Sequence, residues 1–226
     1  MKMMSTSTFQ ASLLTFVVIL AGCATQNPGT DPDDMSVEEH KQTAEEHEER
    51  AEKHEEQYDP EAVEARTETA RETTGYETYS TETYNPTAEH LKEAKKHERH
   101  AEQHLEAAQT LETFEEKQCS RFPQDVRPTC PLMGRVIDTE NVEDGVLVTF
   151  NEEVALEPTV DHIKCHFAFA RTQGYEGMDS CPLYLKGISV EAKPGSNAVL
   201  LKTDNPDSVE PLRQRARDHV SPEANQ

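Results

Sequence analysis

A stretch of sixteen residues occurs twice in this chain, 50 positions apart, and it restricts the fold more than any other feature. Residues 39–54 align with residues 89–104, and half of the sixteen positions are identical. In each copy Ala and His alternate at spacings of three and four, as residues do in the core positions of a coiled coil. The sequence therefore predicts two related helices whose alternating residues are Ala44, His47, Ala51, His54 and Ala94, His97, Ala101, His104.

The first helix has a recognisable start. Ser36 is followed three residues later by Glu39, a capping-box pattern in which each side chain satisfies a free backbone amide of the other residue. From there to Gln57 the chain contains no Gly or Pro and is dominated by good helix formers. In an antiparallel hairpin of the two helices, histidines whose numbers sum to 144 lie side by side, and small alanines allow close approach. The expected pairs are His40 with His104, His47 with His97, and His54 with His90.

The segment that connects the two copies is long enough for a further element. Asp59-Pro60 is typical of a helix start, because Pro fits the first helical position. We therefore expect a short third helix over residues 60–73. Residues 75–84, rich in Thr and Tyr, are expected to be irregular. Residues 36–118 as a whole are interpreted as an acidic, histidine-bearing helical region.

The histidines of the second copy are candidate metal ligands. His97, His100 and His104 lie on adjacent helical turns, where two ring nitrogens can reach one Zn²⁺, Ni²⁺ or Cu²⁺ ion at about 2.0 to 2.1 Å. Histidines seven residues apart are separated by about 10.5 Å along one helix and cannot share an ion there. Further candidate ligands are Glu93, one turn before His97, and, from the facing helix, His40, His47 and His54.

Two other interpretations of these histidines stay open. In the first, they occupy a narrow helix interface and bind nothing. In the second, they respond to pH, because stacked imidazolium rings repel one another while the surrounding carboxylates favour the charged form. These two effects oppose each other, and the sequence does not decide between them.

The charge of the chain argues against nucleic acid as a partner. Acidic residues number 44 and basic residues 22, so a phosphate backbone would be repelled. The imbalance is concentrated in residues 23–118, which carry 27 acids and 10 bases, whereas residues 119–226 carry 17 and 11. This change in composition marks a domain boundary near Gln118.

Four cysteines lie beyond that boundary: Cys119, Cys130, Cys165 and Cys181. An even number in an exported chain is typical of disulfides. Three pairings are open, and a repeated local pattern, which we call the Cys-Pro-Leu echo, favours one of them. In each copy a helical pattern that contains one cysteine is followed by a loop and then by Cys-Pro-Leu, at Cys130 and again at Cys181. We expect Cys119 to pair with Cys130, and Cys165 with Cys181.

Residues 119–226 show the pattern of a small α+β domain. Strands are expected around residues 135–137 and 146–150, joined by a turn at Gly145, and around 184–191 and 198–203, joined at Pro194-Gly195. Helices with apolar residues at helical spacing are expected over residues 158–172 and 206–219. The resulting ββαββα order suggests two ββα units, with one sheet covered by two helices and linked by disulfides.

A second histidine cluster lies within the first of these helices. His162 and His166 are four residues apart and could chelate an ion beside Cys165. The alternative to a metal site is that these histidines are two polar helix residues that flank a buried disulfide. The segment resembles the tail of a c-type haem attachment site but lacks its first cysteine. No arrangement typical of an enzyme is visible, so we expect no catalysis.

The amino terminus has the pattern of an export signal. An apolar run over residues 11–21 is too short to cross roughly 30 Å of hydrocarbon and suits a cleaved signal peptide. It ends in Leu20-Ala21-Gly22-Cys23, which resembles the lipobox of bacterial lipoproteins. The resemblance implies that residues 1–22 are removed and that Cys23 carries lipid. Ala24, in place of Asp, implies the outer membrane in preference to the inner one.

Together these patterns indicate a lipoprotein of the bacterial envelope. Residues 23–35 are interpreted as a lipidated flexible tether, because they contain Pro and Gly and lack an apolar pattern. The function expected is binding, specifically low-affinity binding or buffering of a transition metal such as Zn or Cu by the helical histidines. The rival expectation is a structural lipoprotein whose helices act as a spacer and whose terminal domain docks an envelope protein partner.

Overall fold

The computed structural model describes residues 27–71, 77–193 and 195–220, with side chains described outside 67–80. These residues form four helices and two small antiparallel sheets. None of the helices described is both long enough and apolar enough to cross a membrane. The predicted signal peptide, the lipid site Cys23 and Pro194 of the second predicted turn lie outside the described residues.

Two long helices form the predicted hairpin. Helix α1, Val37–Gln57, begins at the predicted capping box: the Glu39 amide donates to Ser36 Oγ at 3.2 Å, and the Ser36 amide donates to Glu39 Oε2 at 2.8 Å. Helix α2 spans Ala88–Cys119. The alanines of both repeats are buried between the helices, so the Ala/His alternation is the packing surface.

A two-stranded sheet connects the helices, and the predicted helix over residues 60–73 is wrong. Strand β1, Glu64–Arg71, pairs with β2, Glu77–Tyr84, in antiparallel register. Alternating Thr residues favour extended backbone. Pairing with a second Thr- and Tyr-rich strand adds stability that local helix propensity does not take into account. The segment predicted to be irregular is therefore half of this hairpin.

The second sheet lies in the carboxyl-terminal half. Strands β3, Val136–Val142, β4, Gly145–Phe150, β5, Ile188–Ala192, and β6, Ala198–Thr203, are arranged in the order β3-β4-β6-β5. Helices α3, Leu156–Thr172, and α4, Pro206–Arg217, follow β4 and β6 in the chain. The core includes Phe150, Ile163, Leu183, Leu201 and Leu212.

Gly145 is required by close packing. A Cβ at this position would lie 1.9 Å from the carbonyl oxygen of Leu201 on the neighbouring strand β6. The predicted turn therefore stands, and its glycine is required by contact with the next strand.

The predicted disulfide pairs are wrong. Cys119 is bonded to Cys165, and Cys130 and Cys181 are free, buried thiols whose sulfurs lie 3.3 Å apart. Helix α2 continues to Cys119 and packs against α3, so the nearest cysteine lies on the facing helix and not further along the chain. The disulfide consequently ties the helical hairpin to the sheet-bearing half.

The segment interpreted as a flexible tether is held from residue 27 onward. The Asn27 amide group donates to Gln103 Oε1 on α2 at 2.9 Å. Arg171 Nε donates to Asp33 Oδ1 at 2.8 Å, and Thr30 is buried. Its prolines and glycine form turns that bring polar groups to these partners, so they do not keep the segment free.

Candidate metal centre in the histidine seam

Seven histidines line the interface of α1 and α2, and we call this set the histidine seam. The three predicted pairs are confirmed: the two Nδ1 atoms of each pair lie 3.0 Å apart for His40 and His104, 2.8 Å for His47 and His97, and 3.1 Å for His54 and His90. Because each contact joins two nitrogens, one ring donates its N–H and the other accepts. The seventh member, His100, lies off the strict heptad.

The seven rings form one continuous column. Its α2 members extend from His90 to His104, a separation of 14 positions or about 21 Å along the helix axis. Successive ring centroids, in the order His90, His54, His97, His47, His100, His104 and His40, are 5.4, 5.7, 5.1, 4.0, 5.1 and 5.3 Å apart. The closest contact is that of His47 with His100, where α1 contributes one ring and α2 the other.

Three members of the column can hold a metal ion. Ligand atoms of His47, His100 and His104 all lie within 4.8 Å of one another. Bonds of about 2.0 to 2.1 Å to a tetrahedral ion require nitrogens about 3.4 Å apart, so the ligand atoms have to approach one another by up to about 1.4 Å to close the site. The ligand set therefore crosses the helix interface, with one imidazole from α1 and two from α2.

Hydrogen bonding leaves the right nitrogens available. When His47 and His104 donate from Nδ1 to His97 and His40, Nε2 of each carries a lone pair for an ion. The Nε2 atom of His100 is buried and has no hydrogen-bond partner. Outer-shell contacts of this kind fix the tautomer and orientation of metal-ligating imidazoles. His97 and His40 are therefore positioning residues for the group.

The electrostatic environment favours the neutral form of His47, His97 and His104. Burial, with smaller contributions from the charges of His100 and His97, lowers the pKa of His47 to about 4. Burial also lowers the pKa of His97 and of His104, and neighbouring histidines add to both shifts. Burial and like-charge repulsion thus outweigh the surrounding carboxylates, and the lone pairs that a metal needs are unprotonated at neutral pH.

We expect acid to destabilise the hairpin. The pKa of His47 is about 4 in the folded chain and 6.5 as the ordinary value, so between these values the unfolded chain binds more protons. The contribution of neutral His47 to the free energy of unfolding is complete above pH 6.5 and is lost as the pH falls towards 4. Urea unfolding followed by circular dichroism at several pH values checks this.

A variant isolates the His47 contribution. His47→Leu removes the titrating ring, so its unfolding midpoint should change less between neutral pH and pH 5 than that of the original chain. Glu48→Gln alters an exposed neighbour on the same helix and should keep the full pH dependence. Equal slopes for His47→Leu and the original chain would contradict the assignment.

The remaining predicted ligands lie elsewhere. His54 pairs with His90 at the far end of the column, and Glu93 forms an ion pair with Lys96 at 3.2 Å on the exposed helix surface. His162 directs Nε2 at the carbonyl of Val126, 3.4 Å away. Among the described residues, the groups with metal-holding geometry include His166 but not these residues.

Two histidines were missing from the predicted ligand set. His90 completes the column, and the 50-residue repeat already indicated it as the counterpart of His40. His219 follows α4 and lies with Nε2 3.5 Å from the sulfur of Cys130. No spacing in the sequence links Cys130 with His219, because 89 residues separate them.

The described residues thus contain buried His and Cys/His groups that could hold a metal ion, one of them in the histidine seam. Comparison of the chain with known protein families, with curated proteins and with solved structures finds no match.

Proposed function

We propose that this chain is a lipid-anchored envelope protein that binds a transition-metal ion through His47, His100 and His104. One observation carries the proposal: the buried Nε2 atom of His100 has no partner and belongs to a group of three imidazoles whose ligand atoms lie within 4.8 Å of one another. A buried polar atom without a partner is costly, and an ion would satisfy it.

The chemistry of the group favours Zn²⁺ or Cu²⁺. Neutral imidazole suits both ions, and the lowered pKa values of His47 and His104 keep the rings neutral at physiological pH. Three protein ligands leave a fourth position for water or an exchanging ligand. The role proposed is binding or buffering, without turnover.

The anchor is the second part of the proposal. It is supported by the lipobox-like Leu20-Ala21-Gly22-Cys23 and by the short apolar run before it. Ala24 after the cysteine favours the outer membrane. An ion bound in the seam would then be held at the membrane surface. We also retain as a proposal that residues 119–226 form a ββαββα domain made of two ββα units.

Calorimetric titration with Zn²⁺ and with Cu²⁺ tests the metal site. Residues 23–226 with Cys23→Ser, which prevents lipidation, are titrated at about pH 7.5, where unperturbed imidazoles are largely neutral. Loss of an outer-shell partner weakens metal binding by about 10- to 100-fold. His100→Ala removes a ligand itself and should therefore weaken metal binding at the histidine seam by more than that. His90→Ala, at the far end of the column and outside the three-histidine group, is the matched control and should bind as the original chain does.

Unchanged binding by His100→Ala would overturn the metal assignment. The seam would then be a structural interface. The rival function, a spacer whose carboxyl-terminal half docks an envelope protein partner, would replace it. A search for partners of residues 119–226 would follow.

A further inference from the structure

Four buried side chains from separate parts of the chain meet beneath the second sheet. Cys130 precedes β3, His166 lies on α3, Cys181 precedes β5, and His219 follows α4. Their exposed fractions are 8, 0, 1 and 5 % respectively. Two thiols and two imidazoles in one apolar core are the donor set of a structural Zn²⁺ site.

Three of the distances among these atoms are close to those of such a site, and ligand atoms of Cys130, His166 and Cys181 all lie within 4.8 Å of one another. The two sulfurs are 3.3 Å apart, Cys181 Sγ lies 3.4 Å from His166 Nε2, and Cys130 Sγ lies 3.5 Å from His219 Nε2. Around a tetrahedral Zn²⁺ ion, bonds of about 2.3 Å to sulfur and about 2.0 to 2.1 Å to nitrogen separate two sulfurs by about 3.7 Å and sulfur from nitrogen by about 3.5 Å. The pocket needs to open by a few tenths of an ångström between the thiols, and His219, which contacts Cys130 but lies outside the 4.8 Å group, has to move closer to at least one other ligand.

Both imidazoles are oriented by the backbone. His166 Nδ1 lies 2.8 Å from the carbonyl oxygen of Arg127, and His219 Nδ1 lies 2.7 Å from that of Arg215. A carbonyl only accepts, so each Nδ1 carries the hydrogen and each Nε2 presents its lone pair to a sulfur. This second-shell arrangement is the one that metal-binding histidines use.

We infer that Cys130, His166, Cys181 and His219 form a closed Zn²⁺ site, separate from the histidine seam. The site joins the loop before β3, helix α3, the loop before β5 and the end of α4, which are far apart in the chain. It has no open position, so its role is to stabilise the fold. The opposing outcome is a second disulfide, because the same two sulfurs cannot be bonded to each other and to a metal ion.

The decisive measurement uses residues 23–226 with Cys23→Ser, secreted to the periplasm and purified without chelator or reductant. In a chain that also carries His100→Ala and so lacks the seam site, we expect one tightly bound zinc per chain by elemental analysis. The mass should correspond to one disulfide, and two thiols should titrate after denaturation with chelator. A chain without zinc, whose mass corresponds to two disulfides, would overturn the inference.

Replacement of the zinc by Co²⁺ distinguishes this site from the histidine seam. Only a site with thiolates gives sulfur-to-cobalt charge-transfer absorption together with the strong visible bands of tetrahedral Co²⁺. We expect both in the original chain, and both retained in His100→Ala, whose loss affects only the seam. Visible bands without the sulfur transition would contradict the Cys/His assignment.

Two variants test the ligands. His219→Ala should abolish or shift the Co²⁺ spectrum and weaken binding by more than the about 10- to 100-fold associated with outer-shell changes. His162→Ala lies one turn from His166 on the same helix, points at Val126, and should leave the spectrum unchanged. If His219→Ala does not fold, the spectrum of the original chain still decides the matter. Identical spectra for a folded His219→Ala chain and the original would exclude His219 and with it the four-ligand site.

Discussion

Replacing both Cys119 and Cys165 with Ala is expected to lower the free energy of unfolding by about 4 kcal/mol, since the bond closes a long loop in the unfolded chain. The bonded residues are 46 positions apart. The bond joins the last residue of α2 to α3, so its loss should also uncouple the helical hairpin from the sheet-bearing half. Urea unfolding measured in parallel by far-ultraviolet and near-ultraviolet circular dichroism would then show two transitions where the original chain shows one.

Ser120→Ala provides the matched control, because it alters an exposed side chain next to Cys119. Such a surface change should stay within about 0.5 kcal/mol of the original chain. A loss below about 1 kcal/mol in the double cysteine variant, with coincident transitions, would contradict the prediction. It would mean that the α2 to α3 contacts, among them the hydrogen bond that Thr172 Oγ1 donates to Glu115 Oε2 at 2.9 Å, hold the two halves together unaided.

Ala101→Leu is expected to cost about 1 to 3 kcal/mol and to remove metal binding from the histidine seam. Ala101 is 2 % exposed and lies in the interface of α1 and α2. Three added carbons leave no room for the helices at their present separation. As the helices move apart, His47 is withdrawn from His100, whose ring centroid is now 4.0 Å away. Urea unfolding and Zn²⁺ titration of the same preparation measure both effects.

The control introduces the same residue one position further along. Glu102 is exposed on the outer face of α2, so Glu102→Leu should leave both stability and zinc affinity close to their original values. An Ala101→Leu chain that keeps its stability and its zinc site would show that the seam has spare volume. The ligand set would then not depend on close helix packing.

Repetition made the hairpin predictable. Two copies with the same Ala/His alternation can bury their alanines only against each other, and antiparallel geometry then fixes which histidines meet. The metal group was only partly predictable, because the search for ligands ran along one helix. His100 and His104 were placed correctly as neighbours, but their contact with His47 depends on how far one helix is rotated against the other.

Long-range contacts were beyond the reach of the sequence. Cys119 meets Cys165 because α2 runs further than its histidine pattern and lies against α3. The local Cys-Pro-Leu echo suggested pairing within each unit, whereas the structure brings Cys130 and Cys181, one from each echo, side by side. The β1 to β2 hairpin was missed for a related reason, since the stability of each strand comes from its partner.

The contacts of residues 27–34 determine how a lipid at Cys23 would orient the molecule. Asn27 is fixed to Gln103 on α2, and four residues of chain reach at most about 14 Å. Acyl chains on Cys23 would therefore attach the protein within reach of the middle of helix α2. The bilayer would lie alongside the body of the protein, and envelope components would meet its flank instead of a distant tip.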